Sequence, residues 1–384
     1  MHKGGFFMSK DQHLSDVMIR IYKLSNDEEA DPRDSWELFQ QHRAALMNRF
    51  FGTPVAIADE PDMSKLNDVI TDTDLLIAHR ISRQGYIFTG LEKANVYNAI
   101  IVRNPVDCDC WCPARLGFSK RSLEEHIAFI NEHKLERAII VAEDLQFITQ
   151  CPSLKYLKII PADTAPEPFD YSPLYAMPEL RYLECATHYG GSSEPYATTI
   201  DYAQVNGVRE LCIVGDGHLN YQQLGSLEEI TLNELKNMRD LQEFSGCTSV
   251  KNLSFAMCGL RTLDGIEQMH SLRALSLEYM RTLADISALS RTADTLTHLH
   301  IEKCPKIKDF SCLNDLVNLE SLSLHGKNEL PDLSFLNALK KLKIFTFSMN
   351  VLSNDLTPCL RLPYAVCSHD RKTYNLKDKD LPKN

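Results

Sequence analysis

Leu272-Arg-Ala-Leu-Ser-Leu277 and Leu319-Glu-Ser-Leu-Ser-Leu324 share one pattern, Leu-x-x-Leu-x-Leu. The same three apolar positions recur at Leu227/Ile230/Leu232, Val250/Leu253/Phe255, Leu296/Leu299/Ile301 and Leu342/Phe345/Phe347. The first positions of these six copies, taken in chain order, lie 23, 22, 24, 23 and 23 residues apart. A fixed period of this length marks one supersecondary unit stacked repeatedly, because a single unit cannot bury its own apolar side. Within each copy, a short strand places successive side chains on opposite faces. Positions four and six therefore point to a core, and positions three, five and seven to a surface. Stacking at about 4.8 Å per strand then builds a parallel sheet along the inner side of a curved solenoid.

Three units carry matching second halves: Asp285-Ile-Ser-Ala-Leu289, Asp309-Phe-Ser-Cys-Leu313 and Asp332-Leu-Ser-Phe-Leu336. With these segments the chain resembles the leucine-rich-repeat family, in its short-repeat, internalin-like class of cytosolic bacterial type. The resemblance implies an α/β solenoid with its parallel sheet on the concave face. It also implies Asn or Cys at the ninth position, where Cys258, Cys304 and Asn350 match but Leu235, Met280 and Lys327 do not.

Towards the N-terminus the pattern persists at Val208/Leu211/Ile213, Leu180/Leu183/Cys185 and Leu154/Leu157/Ile159, with looser spacings of 19, 28 and 26 residues. Leu135/Ala138/Ile140 and Val96/Ala99/Ile101 are weaker copies. Ser122-Leu-Glu-Glu125 has capping-box spacing ahead of apolar Ile127 and Ile130, which predicts a helix to about Lys134 before a strand over Arg137 to Ala142. The domain reading is an α/β cap region over residues 1–90, a solenoid over 91–358 that is irregular to about 226 and regular from 227, and a C-terminal cap over 359–384. Caps are a physical need, since an open sheet edge templates aggregation.

Apolar residues at 44% and charged residues at 24% fit a folded globular chain. No apolar run reaches the roughly 18 residues of a membrane helix, and the apolar stretch after Met1 is too short for a signal peptide, so a cytoplasmic location is expected. The formal net charge of −11 disfavours nucleic acid and anionic membranes as partners. Twelve cysteines in 384 residues are too few for a disulfide scaffold.

The register names the outward residues. Tyr156, Lys158, Tyr182, Glu184, Glu210, Glu229, Asn252, Glu278, His298, His300, Glu302 and His325 are the candidate partner contacts. Between Pro178 and Glu243 there are eleven acidic and four basic residues, a charge of −7 that suits a basic partner. His298, His300 and His325 near Glu302 have the residue types of a metal site but no sequence-local ligand spacing, and a partner contact or pH-sensitive patch is the preferred reading. Cys108-Asp-Cys110-Trp-Cys112 lacks the paired Cys-x-x-Cys of zinc sites. No nucleophile elbow, phosphate loop or His-Glu-x-x-His occurs. The expectation is a non-enzymatic, cofactor-free module that binds a protein partner, in its sharper form an inhibitor or immunity-type protein for a basic one. The alternative is a regulatory or enzymatic protein with its activity or a metal site in the N-terminal region and repeats used for targeting.

Overall fold

The structure is a computed structural model that describes residues 99–103, 122–134, 136–161, 165–166, 168–177, 179–186 and 199–383, with position 38. One sheet of twelve strands runs through it, each strand parallel to the next. In chain order these are Ala99–Arg103, Arg137–Ala142, Tyr156–Pro161, Tyr182–Ala186, Glu210–Val214, Glu229–Asn233, Asn252–Ala256, Ala274–Glu278, His298–Glu302, Ser321–His325, Ile344–Phe347 and Tyr364–Cys367. The register follows the repeat: Leu275 stands beside Leu253 on one side and Leu299 on the other. Both weak N-terminal copies are strands: Ala138 pairs with Leu157 as read, but Ala99 pairs with Arg137 and Ile100 with Ala138, so the first copy is one residue out of the register read from Val96/Ala99/Ile101, and Ile100 and Val102 hold its fourth and sixth positions. Apart from position 38, the expected α/β cap region over residues 1–90 lies outside the described residues.

Positions one, four and six form a continuous apolar stack from Leu154, Leu157 and Ile159 to Leu342, Phe345 and Phe347, all buried. Burial of these side chains, at about 25 cal/mol per Å² of apolar surface, is what holds one turn to the next. The C-terminal segment departs from the expected simple cap. Leu362, Ala365 and Cys367 occupy the same three buried positions, and Tyr364–Cys367 extends the sheet. Ala and Cys in place of Leu hide this copy from the pattern. The residues after Cys367 supply the cover: the Ala365 N–H donates to the Pro382 carbonyl at 2.9 Å, and the Tyr374 hydroxyl accepts from the Val351 N–H at 2.9 Å.

Opposite the sheet, short 3-10 helices return the chain. Most of them start with one device. Asp285, Asp309 and Asp332 each accept the backbone N–H two residues on, from Ser287 at 2.8 Å, Ser311 at 2.8 Å and Ser334 at 2.7 Å. Asp144, Asp170, Asp201, Asp240 and Asp355 make the same bond, so the device extends beyond the three units whose sequences display it. The Ser287 and Ser311 amides hold the Asp285 and Asp309 carboxyls below the usual range; at Asp332 and Asp355 the Ser334 and Thr357 hydroxyls lead, with the amides adding to them. The larger helix is Leu123–His133, with the Ser122 hydroxyl accepting from the Glu125 N–H and the Glu125 carboxylate accepting from the Ser122 N–H, as the spacing predicts.

The ninth position behaves differently from turn to turn. The Cys258 thiol donates to the Leu232 carbonyl at 3.2 Å and the Cys304 thiol to the Leu277 carbonyl at 3.4 Å, while Leu235 and Met280 are plain apolar fill. In the 319 unit the buried amide is Asn328, one residue after Lys327, donating to the carbonyls of Cys304 at 2.9 Å and Ile307 at 2.8 Å. Gly326 allows the shift: at φ 144° it takes a backbone no other residue adopts freely. Asn350 matches the pattern yet is only half-buried, facing Glu329 Oε1 at 3.4 Å.

At the eighth position the chain turns sharply off the strand. Glu234, Met257, Tyr279 and Lys303 sit there at φ of 60°, 56°, 55° and 52°, between Gly215 and Gly326 in the equivalent places. The N–H of each donates to the seventh-position carbonyl of the following turn, from Glu234 to Ala256 at 2.8 Å through Lys303 to His325 at 2.8 Å. A left-handed conformation costs a non-glycine residue about 1–2 kcal/mol, which this ladder and the core below it overcome.

Candidate functional site

The concave face is an ordered grid. Tyr156, Tyr182, Glu210, Glu229 and Asn252 are consecutive in its first row, with Ala274 and His298 after them. Lys158, Glu184, Cys212, Thr231, Ser254, Ser276, His300, Ser323 and Thr346 form the second. Glu278, Glu302 and His325 belong to the third. The outward direction is as the register predicts, but direction and exposure separate. Tyr182, Glu229, Asn252 and His298 are buried, and the other eight candidates are half-buried. Neighbouring strands lie about 4.8 Å apart, so long side chains in adjacent rows cover one another.

At the N-terminal end, Lys158 Nζ lies 2.6 Å from Glu184 Oε1 and the Tyr182 hydroxyl donates to Glu184 Oε2 at 2.8 Å. Asn252 donates to Glu229 Oε2 at 3.1 Å. At the other end, the Ser276 hydroxyl donates to Glu278 at 2.9 Å. Glu302 lies 3.6 Å from His300 Nε2 and 2.8 Å from Lys303 Nζ, and hydrogen bonding from His300, then Lys303, brings its carboxyl down to about 2. The His300 and His325 rings are 6.1 Å apart. His325 Nε2 meets the Thr346 hydroxyl at 3.1 Å, and burial first, His300 second, bring His325 down to about 4. Among the described residues no group of three or more His, Cys, Asp or Glu side chains is placed to hold a metal ion. Cys108, Cys110 and Cys112 lie outside them. The nine described cysteines are buried and free; burial raises the thiols of Cys247, Cys258, Cys304, Cys312 and Cys359 to about 12, which keeps them protonated.

The acidic segment is less bare than its charge count. Glu228 stands between Arg209 at 3.5 Å and Lys251 at 2.7 Å, and Glu179 is 3.6 Å from Lys155. Asp216 accepts the Lys236 and Asn237 N–H groups at 3.2 and 3.3 Å. Lys155, Lys158 and Lys251 come from outside the 178–243 window, on neighbouring turns, so a count along the chain misses them.

Two features escape the repeat reading. On the rim beyond the third row, Met257 is 47% and Tyr279 39% exposed, with the Tyr279 hydroxyl accepting from Lys303 at 2.8 Å. Glycines at the equivalent positions 215 and 326 are the sequence signal that would have singled out this row. Next to the rim, Gly215, Asp216, His218, Arg239, Asp240 and Glu243 line a cavity of about 330 Å³, with Tyr221 and Phe244 in its wall. His218 Nδ1 lies 2.9 Å from the Tyr202 hydroxyl, and burial lowers its pKa to about 4, so the ring is neutral at pH 7. Arg239 is engaged with the carbonyls of Lys236 at 2.6 Å and of Met238 and Gly259 at 3.3 Å.

No protein-family model matches the sequence. No curated protein matches it either. Among solved structures, the chain is similar to an internalin, InlF, from Listeria monocytogenes at 17% identity and a TM-score of 0.41, covering 62% of this chain and 69% of that one. It is similar to the functional domain of InlJ from the same organism at 18% identity and a TM-score of 0.35, covering 60% and 61%. It is also similar to a leucine-rich-repeat protein of Leptospira interrogans at 14% identity and a TM-score of 0.31, covering 66% and 83%. Among the described residues no helix is long and apolar enough to cross a membrane. The repeat spacing, the strand register and the returning half-turns, all properties of this chain itself, make it a leucine-rich-repeat solenoid of α/β class.

Proposed function

We propose that the chain is a protein-interaction module whose concave sheet holds a partner protein, without catalysis and without a cofactor. The observation that supports this best is the grid itself. Its rows are polar over consecutive turns, and charged groups such as Lys158, Glu184 and Glu302 are fixed by neighbours before a partner arrives. Preorganised charges lose little freedom on docking, which favours specific recognition. Among the proposed contacts, Tyr156, Lys158, Glu184, Glu210, Glu278, His300, Glu302 and His325 retain exposure; buried Tyr182, Glu229, Asn252 and His298 act by supporting them. A basic cytoplasmic partner that the module inhibits is the finer form of the reading, and it rests on the net charge.

The test is affinity capture from the source cells at low and high salt, with the wild type and a concave variant carrying Glu210→Lys and Glu278→Lys. The expected result is one stoichiometric protein that wild type retains at low salt and that the variant loses while its thermal midpoint is unchanged. Identical retention by both would remove the concave face from the function.

A further inference from the structure

The surface with the most unexplained features is the rim where the strands end. Four successive turns place Glu234, Met257, Tyr279 and Lys303 in the left-handed backbone region, although glycine holds the same position at 215 and 326 without strain. Nothing in the backbone ladder needs a side chain there, because each bond is made by the N–H group. Three of the four, Met257, Tyr279 and Lys303, are exposed, and Glu234 is half-buried. Met257 and Tyr279 stand on adjacent turns of one row, linked by the Met257 N–H to Glu278 carbonyl bond at 3.0 Å, whereas the other exposed large apolar residues described, such as Leu123, Val317 and Leu360, belong to separate elements. Tyr279 is steadied by Lys303, which Glu302 holds in turn at 2.8 Å. An aromatic fixed before binding is a typical anchor of a recognition surface.

The same row leads to the cavity. Gly215, its eighth-position residue one turn before Glu234, lines the cavity, and the Gly215 N–H joins it to the next turn through the Asn233 carbonyl at 2.9 Å. Asp216, Asp240 and Glu243 face the cavity against a single cation, Arg239, whose guanidinium is taken up by backbone carbonyls. Along the rim the apolar pair stands between Glu234 and Lys303, Lys303 being neutralised by Glu302 at 2.8 Å, and Glu278 lies beside it in the third row, so the carboxylates left over on this side are Glu234, Glu278 and those of the cavity.

We infer that this rim is a docking strip for a basic segment of a protein partner, seating an apolar or aromatic side chain against Met257 and Tyr279 and a Lys or Arg side chain in the cavity beside Asp240 and Glu243. The inference deepens the interaction-module reading and rests on it, moving specificity from the floor of the sheet to its edge. Charge complementarity selects the occupant. A cationic side chain finds carboxylates and aromatic walls in the cavity, and an acidic or purely apolar segment finds repulsion or unfilled polar groups.

The test pans the full chain against displayed random peptides and measures synthetic copies of the enriched ones. Peptides with paired Lys or Arg and an aromatic or aliphatic residue are expected. Their affinity should fall about tenfold or more in the Met257→Gly/Tyr279→Gly double variant, as loss of an anchor requires, and again in Asp240→Asn/Glu243→Gln. Glycine relieves the backbone strain, so the thermal midpoint of the double variant should hold or rise, which separates lost contact from lost fold. Acidic consensus peptides, no enrichment, or binding indifferent to the rim variants would overturn the inference. If the peptides respond only to the concave variant above, the rim assignment fails while the interaction-module reading stands.

Discussion

The two rims of the sheet are built from the same repeat and solve opposite problems. Where the strands begin, the second-position carbonyl of each turn accepts two N–H groups of the next, from Glu136 through Lys155, Arg181 and Arg209 to Glu320. The side chains there are charges that pair across turns: Glu136 with Lys155 at 2.8 Å, Glu228 with Arg209 and Lys251, Glu320 with Lys343 at 3.1 Å. Where the strands end, one N–H per turn bridges to the next, the backbone is left-handed, and the side chains are unlike one another. The first rim uses its chemistry internally, and the second presents it outward. A repeat protein can thus spend one edge on holding turns together and leave the other free to vary.

Both rims hang on one core, so the largest effect is expected from breaking it. Leu277→Ala, at a fully buried sixth position, should cost about 2–5 kcal/mol in urea unfolding and weaken both rims together. Asn328→Ala acts where its turn meets the preceding one. Leaving the Cys304 and Ile307 carbonyls without their buried donor should cost about 1–3 kcal/mol, and a loss near zero would show that water replaces the amide. The rims themselves should respond with opposite sign. Tyr279→Gly is expected to leave stability unchanged or raise it by up to about 1 kcal/mol, by relief of a left-handed residue. Glu228→Gln is expected to lower it by about 1 kcal/mol or less, an effect that shrinks with added salt. If both variants lose stability equally, the contrast between the rims is wrong.

The pH dependence sharpens the same picture through two steps. His325 titrates at about 4 in the fold against about 6.5 unfolded, so its neutral form is favoured by folding. That contribution is whole above about pH 6.5 and is lost as pH falls towards 4. The capping carboxyls of Asp285, Asp309, Asp332 and Asp355 lie below their unfolded value of about 3.9, so theirs is whole above that pH and is lost as pH falls further. His325→Gln should reduce the upper step, leaving the share that buried His218, also near 4, contributes, and should leave the acid step, as followed by thermal midpoint against pH.

The pattern of Leu275 and Leu277 was enough to read strand, face and register, since alternation along a strand is a local property and a period of 22 to 24 residues stacks units in only one way. The capping box at Ser122 and its helix were legible for the same reason, every partner lying within one turn. Asn328 was not: its place depends on the backbone that Gly326 adopts, and a pattern counted from Leu319 lands on Lys327. Nor was the last strand, where Ala365 and Cys367 fill leucine positions and only pairing with Ile344–Phe347 identifies them.

The candidate site divides along the same line. That Glu229, Asn252 and His298 face the concave side follows from their parity in the repeat. That they are buried there, while Met257 and Tyr279 on the rim are exposed, is decided by side chains more than twenty residues away in sequence and one strand away in space. The pairing of Glu228 with Lys251 is of this kind too. Local alternation sets direction; the packing of one turn against the next sets exposure, charge and strain, and those three quantities mark a surface for function.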